Sequence, residues 1–237
     1  MIKSSYIIFC LIGLLSCKSN LKEKKAVLPK NNDTTINIKH SIDTCNNCTK
    51  IISDTNYNYT LFYSTDTMQT ASLHSITITD KKTEKVIQKI SLSTENIQLP
   101  EWSIVFSVDM DVNFDGYKDL RLTNYEGNYN GSCSYWLFNK KENIFQKKHA
   151  LDNIYNLSIL QKEKLLCSKW HAGLNSFYLE KYFWENNSLK LKEKYEENWW
   201  GESQGLLTVT KLDNNIYKKR EYKVKERVVE KMSCDTK

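Results

Sequence analysis

Residues 177–184 read Phe-Tyr-Leu-Glu-Lys-Tyr-Phe-Trp, and a polar turn, Glu185-Asn186-Asn187, separates them from the alternating run Leu-Lys-Leu-Lys-Glu-Lys at 189–194. Alternation of side chains has the period of a β-strand, and aromatic residues are enriched in strands. Both faces of the first run carry apolar rings, so we expect it to be buried on two sides. The two runs and their short turn predict a β-hairpin.

Similar short runs, rich in β-branched and aromatic residues, recur along the chain from about residue 51. They are residues 59–63, 73–79, 86–92, 102–110, 120–123, 135–138, 157–160, 165–170, 206–211 and 216–224. Polar turns separate these runs, and no long stretch has a helical period. The pattern predicts an all-β domain of antiparallel strands, either propeller-like or a sandwich. A turn or two of helix is expected only near residues 150–155.

The N-terminal residues have the three parts of a bacterial export signal. Lys3 is a positive start, residues 6–15 form an apolar run, and Ser16 is a small residue at the cleavage position. The run is shorter than the roughly 20 residues of a membrane span. The tetrapeptide Leu-Leu-Ser-Cys at 14–17 resembles the lipobox of bacterial lipoproteins, which implies cleavage after Ser16 and a lipid on Cys17.

The chain after the signal divides into a polar segment and an apolar, strand-rich segment. Residues 17–50 cannot bury enough apolar surface to fold, so we expect a flexible tether there. Residues 51–237 are expected to form a single β-rich domain. The lipid on Cys17 would anchor the chain to the inner or outer membrane, and the domain would lie in the periplasm or on the cell surface.

The charge pattern bears on the class of partner. The net charge is +6, but lysines alternate with glutamates in segments such as 190–197, as on a solvated strand face. A basic excess can indicate nucleic acid or an anionic surface. We expect no nucleic-acid partner, because the signal predicts export, whereas an anionic envelope polymer stays open as a ligand.

The cysteine count bears on disulfides, which form in exported proteins. Cys10 leaves with the signal and Cys17 is expected to carry the lipid. An odd number of cysteines then remains, so one thiol is left over or pairs elsewhere. The five that remain beside Cys17 are Cys45, Cys48, Cys133, Cys167 and Cys234.

Cys45 and Cys48 form a C-x-x-C pair, for which a redox motif or half of a zinc site are alternatives. No second pair and no suitably spaced histidines complete a zinc site, so we expect a small local disulfide. Cys133 and Cys167 each lie in a strand-like run, and we expect them to bridge neighbouring strands.

Residues 111–119, the Asx loop, have the most specific pattern in the domain, D-x-N-x-D-G-x-x-D. In EF-hand-type loops such positions direct oxygen atoms at one Ca²⁺ ion, and glycine at the sixth allows a sharp turn. A divalent cation would also offset the repulsion between three close carboxylates. The predicted Ca²⁺ ligands are Asp111, Asn113, Asp115, the carbonyl of Tyr117, and Asp119.

The Asx loop departs from an EF-hand at its end, where Leu122 replaces the bidentate glutamate. Strands rather than helices are predicted on both sides, so we expect a strand–loop–strand calcium site with a structural role. Asp109 or a remote carboxylate would supply the missing ligand. The alternative is a polar turn in which Asx side chains cap their own backbone.

The stretch from 106 to 145 joins V-D-x-D-x-N-F-D-G-Y-x-D-L to a turn rich in Asn, Tyr and Gly and to Tyr-Trp-Leu-Phe at 135–138. It resembles bacterial lipoproteins that are similar to immunity proteins of the Xanthomonas type IV secretion system. Those proteins inhibit a peptidoglycan-cleaving effector, and their fold is related to periplasmic lysozyme inhibitors. The loop also resembles the calcium loops of FG-GAP repeats. The resemblance implies a periplasmic inhibitor with Ca²⁺ as its cofactor.

The sequence lacks the motifs of common hydrolases, including G-x-S-x-G, H-E-x-x-H and S-x-x-K, so we do not expect an enzyme. A protein partner, such as a cell-wall hydrolase or effector, would meet the turns that carry Gly and aromatic residues, 125–132 and 170–176. The alternative is a structural or carbohydrate-binding surface lipoprotein, with a glycan as ligand. The candidate binding residues are Tyr129, Trp170, Trp199 and Trp200. Trp199 and Trp200 form either a binding platform for sugar or peptide or part of the hydrophobic core at a strand end.

Overall fold

The computed structural model describes residues 44–93, 95 and 97–234. The predicted signal, most of the predicted tether and the lipidation site Cys17 lie outside these residues. The described part consists of three antiparallel β-sheets and three short 3₁₀ helices, at Glu101–Ser103, His149–Leu151 and Val229–Lys231. The prediction of an all-β, antiparallel domain is confirmed, as is the short helical turn near residue 150.

Each sheet is built from consecutive strands, most of which pair with their neighbours in sequence. The first sheet contains β1 (Cys45–Ser53), β2 (Tyr57–Thr65), β3 (Thr70–Asp80), β4 (Val86–Ser91) and β5 (Gln98–Pro100), and β5 pairs with the start of β3. The second contains β6 (Phe106–Met110), β7 (Asp119–Glu126), β8 (Gly131–Asn139) and β9 (Ile144–Lys147). The third contains β10 (Leu157–Leu160), β11 (Leu165–His171), β12 (Ser176–Glu185), β13 (Ser188–Trp199), β14 (Gly205–Asp213) and β15 (Ile216–Val224). The predicted hairpin at 177–194 is β12 and β13.

The second sheet is the middle layer of the domain. Trp136 packs in the core cluster that contains Leu61 of the first sheet. Its neighbours Tyr135 and Leu137 pack instead with Leu166 of the third sheet. Because successive side chains of a strand point to opposite faces, both faces of the second sheet are covered. Three consecutive meanders stacked in this way match the propeller-like alternative better than a sandwich, whose Greek-key strands change sheets.

The turns of the three sheets lie at two ends of the domain, which we call the entry end and the far end. Turns of an antiparallel meander alternate between the ends of a sheet. The entry end contains the start of β1 at Cys45, the segment 101–105 and the turns 66–69, 127–130, 172–175 and 200–204. The far end contains the turns 54–56, 81–85, 111–118, 140–143, 161–164, 186–187 and 214–215.

Hydrogen bonds between sheets show that these turns share an end. At the entry end, Asn130 Nδ2 of the second sheet donates to the His171 carbonyl of the third at 2.7 Å. The segment 101–105 joins the first and second sheets there, since Val105 N–H donates to Thr123 Oγ1 at 2.7 Å. At the far end, Tyr57 Oη of the first sheet lies 3.0 Å from Asn143 Oδ1.

Two predicted boundaries are wrong. The first strand begins at Cys45, within the predicted tether of residues 17–50. Its polar sequence gives no apolar alternation, and it is placed by backbone pairing with β2 along an exposed edge. The predicted strand at 102–110 is shorter, because residues 101–103 form a 3₁₀ helix after Pro100 and β6 begins at Phe106.

Two disulfides are present among the described residues. Cys45 bonds to Cys48, as predicted. The predicted bridge between Cys133 and Cys167 is wrong, because Cys167 bonds to Cys234 and Cys133 is free. Cys133 packs between the second and third sheets, whereas Cys167 lies on the opposite face of β11, where the C-terminal segment covers the third sheet.

Candidate functional site

The Asx loop at the far end closes on itself through its own backbone. The Asp111 carboxylate accepts N–H bonds from Asp115 at 3.0 Å and from Gly116 at 2.8 Å. Asp115 accepts the Tyr117 N–H at 2.9 Å and the Asn113 side-chain amide at 2.8 Å. Gly116 has a φ of +90°, which a residue with a Cβ adopts only with strain. These bonds bring the predicted ligands at 111, 113 and 115 into one turn, and each carboxylate oxygen keeps a free lone pair.

Asp119, the last predicted ligand, is fully buried under the loop. It accepts the Val112 N–H at 2.7 Å and the Phe138 N–H at 2.9 Å, and so joins the loop to β8. Burial away from water raises the pKa of its carboxyl to about 7, although the two backbone hydrogen bonds oppose the shift. The nearby charges of Asp115 and Asp111 raise it further.

The described part of the chain offers the carboxylates of the Asx loop no positive partner. Within residues 44–93, 95 and 97–234, no Lys, Arg or His forms an ion pair with Asp111, Asp115 or Asp119. Asp109, one candidate for the missing ligand, lies 3.8 Å from Arg121. In the same part of the chain, no group of three or more His, Cys, Asp or Glu is arranged to hold a metal ion. Calcium binding therefore stays a prediction.

The entry end brings together the two turns expected to meet a partner. His171 N–H donates to Asn130 Oδ1 at 3.0 Å, and the Asn130 amide donates back to the His171 carbonyl. Asn156 adds a third connection, since its Nδ2 donates to the carbonyls of Tyr129 at 3.0 Å and Lys169 at 2.8 Å. These bonds hold the turn 127–130 against the end of β11, so the two turns form one surface.

Four rings form an aromatic row behind this surface. Tyr125 and Tyr155 have centroids 6.5 Å apart, Tyr155 and Trp170 5.5 Å, and Trp170 stacks on Tyr178 at 4.1 Å. Trp170 Nε1 donates to Glu180 at 3.2 Å, so the predicted binding residue Trp170 is fixed by contacts on several sides. The row stiffens the base of both turns.

Tyr129 and Leu174 are the exposed tips of the two turns. Tyr129 is 64% exposed and stacks on His171 with centroids 5.6 Å apart. Leu174 is 77% exposed, and together with Arg227 these residues line a cleft of about 130 Å³. A ring, an aliphatic tip and a guanidinium are available here to a bound protein.

Trp199 and Trp200 do not form a two-ring platform. Trp199 is buried, and its ring covers Gly205, where a Cβ atom would come within 2.8 Å of the ring. Trp200 is exposed on the following turn. The prediction of core is therefore right for Trp199, and the platform that the carbohydrate-binding alternative needs is absent at this position.

The sequence predicts the two turns but not most of the residues that hold them in place. Tyr155 and Arg227 lie far from the turns in sequence, and Tyr178, which follows the turn 172–175 closely, has no local pattern that indicates its stacking on Trp170. The paired hydrogen bonds of Asn130 likewise depend on how the second and third sheets stack. The Asn-rich composition of 128–130 was the one usable signal, because Asn side chains often bond to nearby backbone in turns.

No protein-family model matches the chain, and no curated protein matches its sequence. The fold is similar to a solved structure described as a Xanthomonas type IV secretion system related protein, with a TM-score of 0.56 and 16% identity over 75% of this chain and 98% of that chain. At this identity the likeness concerns the fold. None of the helices in the described segments is long and apolar enough to cross a membrane.

Proposed function

We propose that this chain is a lipid-anchored binding protein of the cell envelope, whose turns 127–130 and 172–175 dock on a peptidoglycan-cleaving enzyme and inhibit it. The observation that carries the proposal is the joining of these two turns into one surface by the Asn130–His171 hydrogen bonds. Tyr129 and Leu174 project from that surface. The likeness in fold to the Xanthomonas type IV secretion system related protein is consistent with a partner connected with secretion.

The chemistry of the surface suits a protein partner. Tyr, Trp and Arg are enriched among the residues that dominate binding energy, and they act best where the surrounding structure is rigid. Tyr129 stacks on His171, and the Arg227 guanidinium carbon lies 4.7 Å from the Phe177 ring. A surface already held in place loses little conformational entropy on binding, which favours tight association.

The proposal predicts inhibition of a wall hydrolase by the purified chain, measured as the clearing of a peptidoglycan suspension by lysozyme-type and amidase-type enzymes. Tyr129→Ala should weaken inhibition about 10–30-fold, the loss expected for one central aromatic residue. Tyr217→Ala is the matched control, since it removes a similarly exposed tyrosine at the far end. If no wall hydrolase is slowed at stoichiometric concentration, the inhibitor proposal is wrong.

We further propose that the Asx loop holds Ca²⁺ as a structural ion. The side-chain oxygens of Asp111, Asn113 and Asp115 and the carbonyl of Tyr117 are hard oxygen donors of the kind that Ca²⁺ prefers. Asp111 and Asp115 lie in one turn without an ion-pair partner among the described residues, and a divalent cation would offset their charge. Bound there, the ion would supply electrostatic stabilisation to the connection between β6 and β7.

Chelation should therefore lower the melting midpoint of the parent chain. Asp115→Ala should abolish that difference, because the variant starts without the ion. Asp66→Ala is a suitable control, since Asp66 caps Met68 N–H and Thr70 N–H in a similar turn at the entry end. Differential scanning calorimetry with Ca²⁺ and with EDTA measures all three chains. An equal midpoint for the parent chain in Ca²⁺ and in EDTA would contradict the calcium proposal.

A further inference from the structure

The turns of the entry end carry large apolar side chains that the described part of the chain leaves exposed. Each of these side chains is more than half exposed, and we call them the apolar tips: Met68, Trp102, Tyr129, Leu174 and Trp200. They come from turns of all three sheets or from the segment that joins the first two. One exposed apolar residue on a surface is ordinary, but a set that collects at one end of a domain indicates a contact surface.

The far end provides an internal comparison. Its turns have the same place in the same three meanders, yet they carry Asn, Asp, Lys and Glu, as in Asn186-Asn187 and in residues 139–143. Turn geometry therefore does not require apolar residues in this fold. The far end does have exposed apolar residues, Val86, Ile216 and Tyr217, but they lie in strands beside the turns, whereas the apolar tips lie in the turns and the connecting segment of the entry end.

The chain itself approaches from the entry end. β1 begins at Cys45, which pairs with Thr65 immediately before the turn that carries Met68. Residues 18–44 connect this point to the proposed lipid on Cys17, and extended they reach at most about 90 Å. A lipid there would hold the entry end nearer to the bilayer than the far end, and it would keep the apolar tips at a high local concentration beside the membrane.

The side chains are of the type that binds the surface of a bilayer. Trp and Tyr have an apolar ring with a polar edge and are enriched at membrane interfaces. Trp200 shares a cleft with Lys223 and Lys225. These two lysines are exposed and form no ion pair within the described segments, so they are free to meet lipid phosphates.

We infer that the entry end rests on the bilayer through Met68, Trp102 and Trp200, with Lys223 and Lys225 at the headgroups, which leaves Tyr129 and Leu174 to the proposed enzyme. The orientation of the domain in this inference rests on the proposed lipid anchor. Binding of these apolar tips to a bilayer does not need the lipid. Met68, Trp102 and Trp200 lie outside the two turns of the proposed enzyme-binding surface. They allow membrane contact to be tested separately from inhibition.

The test uses the chain after the signal with Cys17→Ser, which carries no lipid, and vesicles of phosphatidylethanolamine and phosphatidylglycerol. We expect the chain to sediment with the vesicles, and more strongly as phosphatidylglycerol is increased. Combining Met68→Ser, Trp102→Ser and Trp200→Ser should weaken vesicle binding at least about tenfold, because apolar area is lost from the interface. Lys223→Gln with Lys225→Gln should remove most of the dependence on phosphatidylglycerol.

Val86→Ser, Ile216→Ser and Tyr217→Ser form the matched control, since they remove three exposed apolar residues outside the entry end. Equal vesicle binding by the tip variant and this control would overturn the inference, as would no binding by the parent chain. A tip variant that loses hydrolase inhibition while the parent ignores vesicles would assign the tips to a protein partner instead. Loss of vesicle binding with full inhibition would support the inference. Mass spectrometry of the N-terminal peptide from the native chain tests the lipid separately.

Discussion

Asp119→Ala is expected to lower the free energy of unfolding by about 2–6 kcal/mol, since one buried and one part-buried N–H group would each lose an acceptor at about 1–3 kcal/mol. The donors are Val112, at the start of the Asx loop, and Phe138, on the neighbouring strand β8. The Asp119 carboxylate is fully buried, so water reaches the Val112 N–H poorly once the carboxylate is removed. Domains of this kind are stable by about 5–15 kcal/mol in total, so a loss at the upper limit would leave a substantial unfolded population.

Urea unfolding in EDTA measures this effect apart from any bound cation. Asp119→Asn keeps one acceptor oxygen and removes the buried charge, so it should cost clearly less than the alanine variant. Asp66→Ala should cost less still, because the N–H partners of Asp66 lie in an exposed turn and can bond to water. A loss below about 0.5 kcal/mol for Asp119→Ala, typical of an ordinary surface position, would contradict this role.

Removal of the Cys167–Cys234 disulfide is expected to cost about 4 kcal/mol, because the bond closes a long loop in the unfolded chain. The two cysteines are 67 residues apart. Their bond attaches the C-terminal segment to β11, and Glu197 holds the same segment by accepting the N–H groups of Val228 and Val229 at 2.7 and 2.8 Å. Because Glu197 still holds the C-terminal segment when the disulfide is absent, the native structure of this segment is kept. The lost stability therefore appears mainly as a lower free energy of global unfolding.

The matched comparison is the other disulfide. Cys45 and Cys48 are only 3 residues apart, so their replacement by alanine should cost well under half as much as replacement of Cys167 and Cys234. A reducing agent should lower the melting midpoint of the parent chain and change that of the Cys167→Ala, Cys234→Ala variant little. Similar losses for the two pairs would show that loop closure is not the source of the stability.

Local patterns were sufficient for most of the strands and for the turns between them. Alternating side chains identified β12 and β13, because each face of a strand meets a constant environment. The spacing of the Asx loop identified the residues that its backbone brings together. β1 was missed, since an exposed edge strand needs backbone pairing and no apolar alternation. Trp102 was assigned to a strand, because a sequence pattern does not distinguish a ring that faces the core from one that faces outward.

Long-range partners could not be predicted in the same way. Cys167 was matched with Cys133 from strand-like surroundings, but the face of β11 on which Cys167 lies depends on how the third sheet packs. Asp119 is a further example. Its spacing predicted a ligand, whereas its burial and its bond to Phe138 depend on the register of β7 and β8. These features arise from tertiary packing and have no local signature.

The middle position of the second sheet has a consequence for how the domain assembles along the chain. The first two sheets can associate as soon as β9 is available, because their contacts need no later residue. On the other face, Tyr135 and Leu137 pack only with Val112, Leu151 and Ile154 until β11 adds Leu166 to their cluster. A chain that ends before β11 would therefore expose apolar surface on the second sheet and would be prone to aggregate. A chain that ends before Cys234 would form all three sheets but would lack the Cys167–Cys234 disulfide.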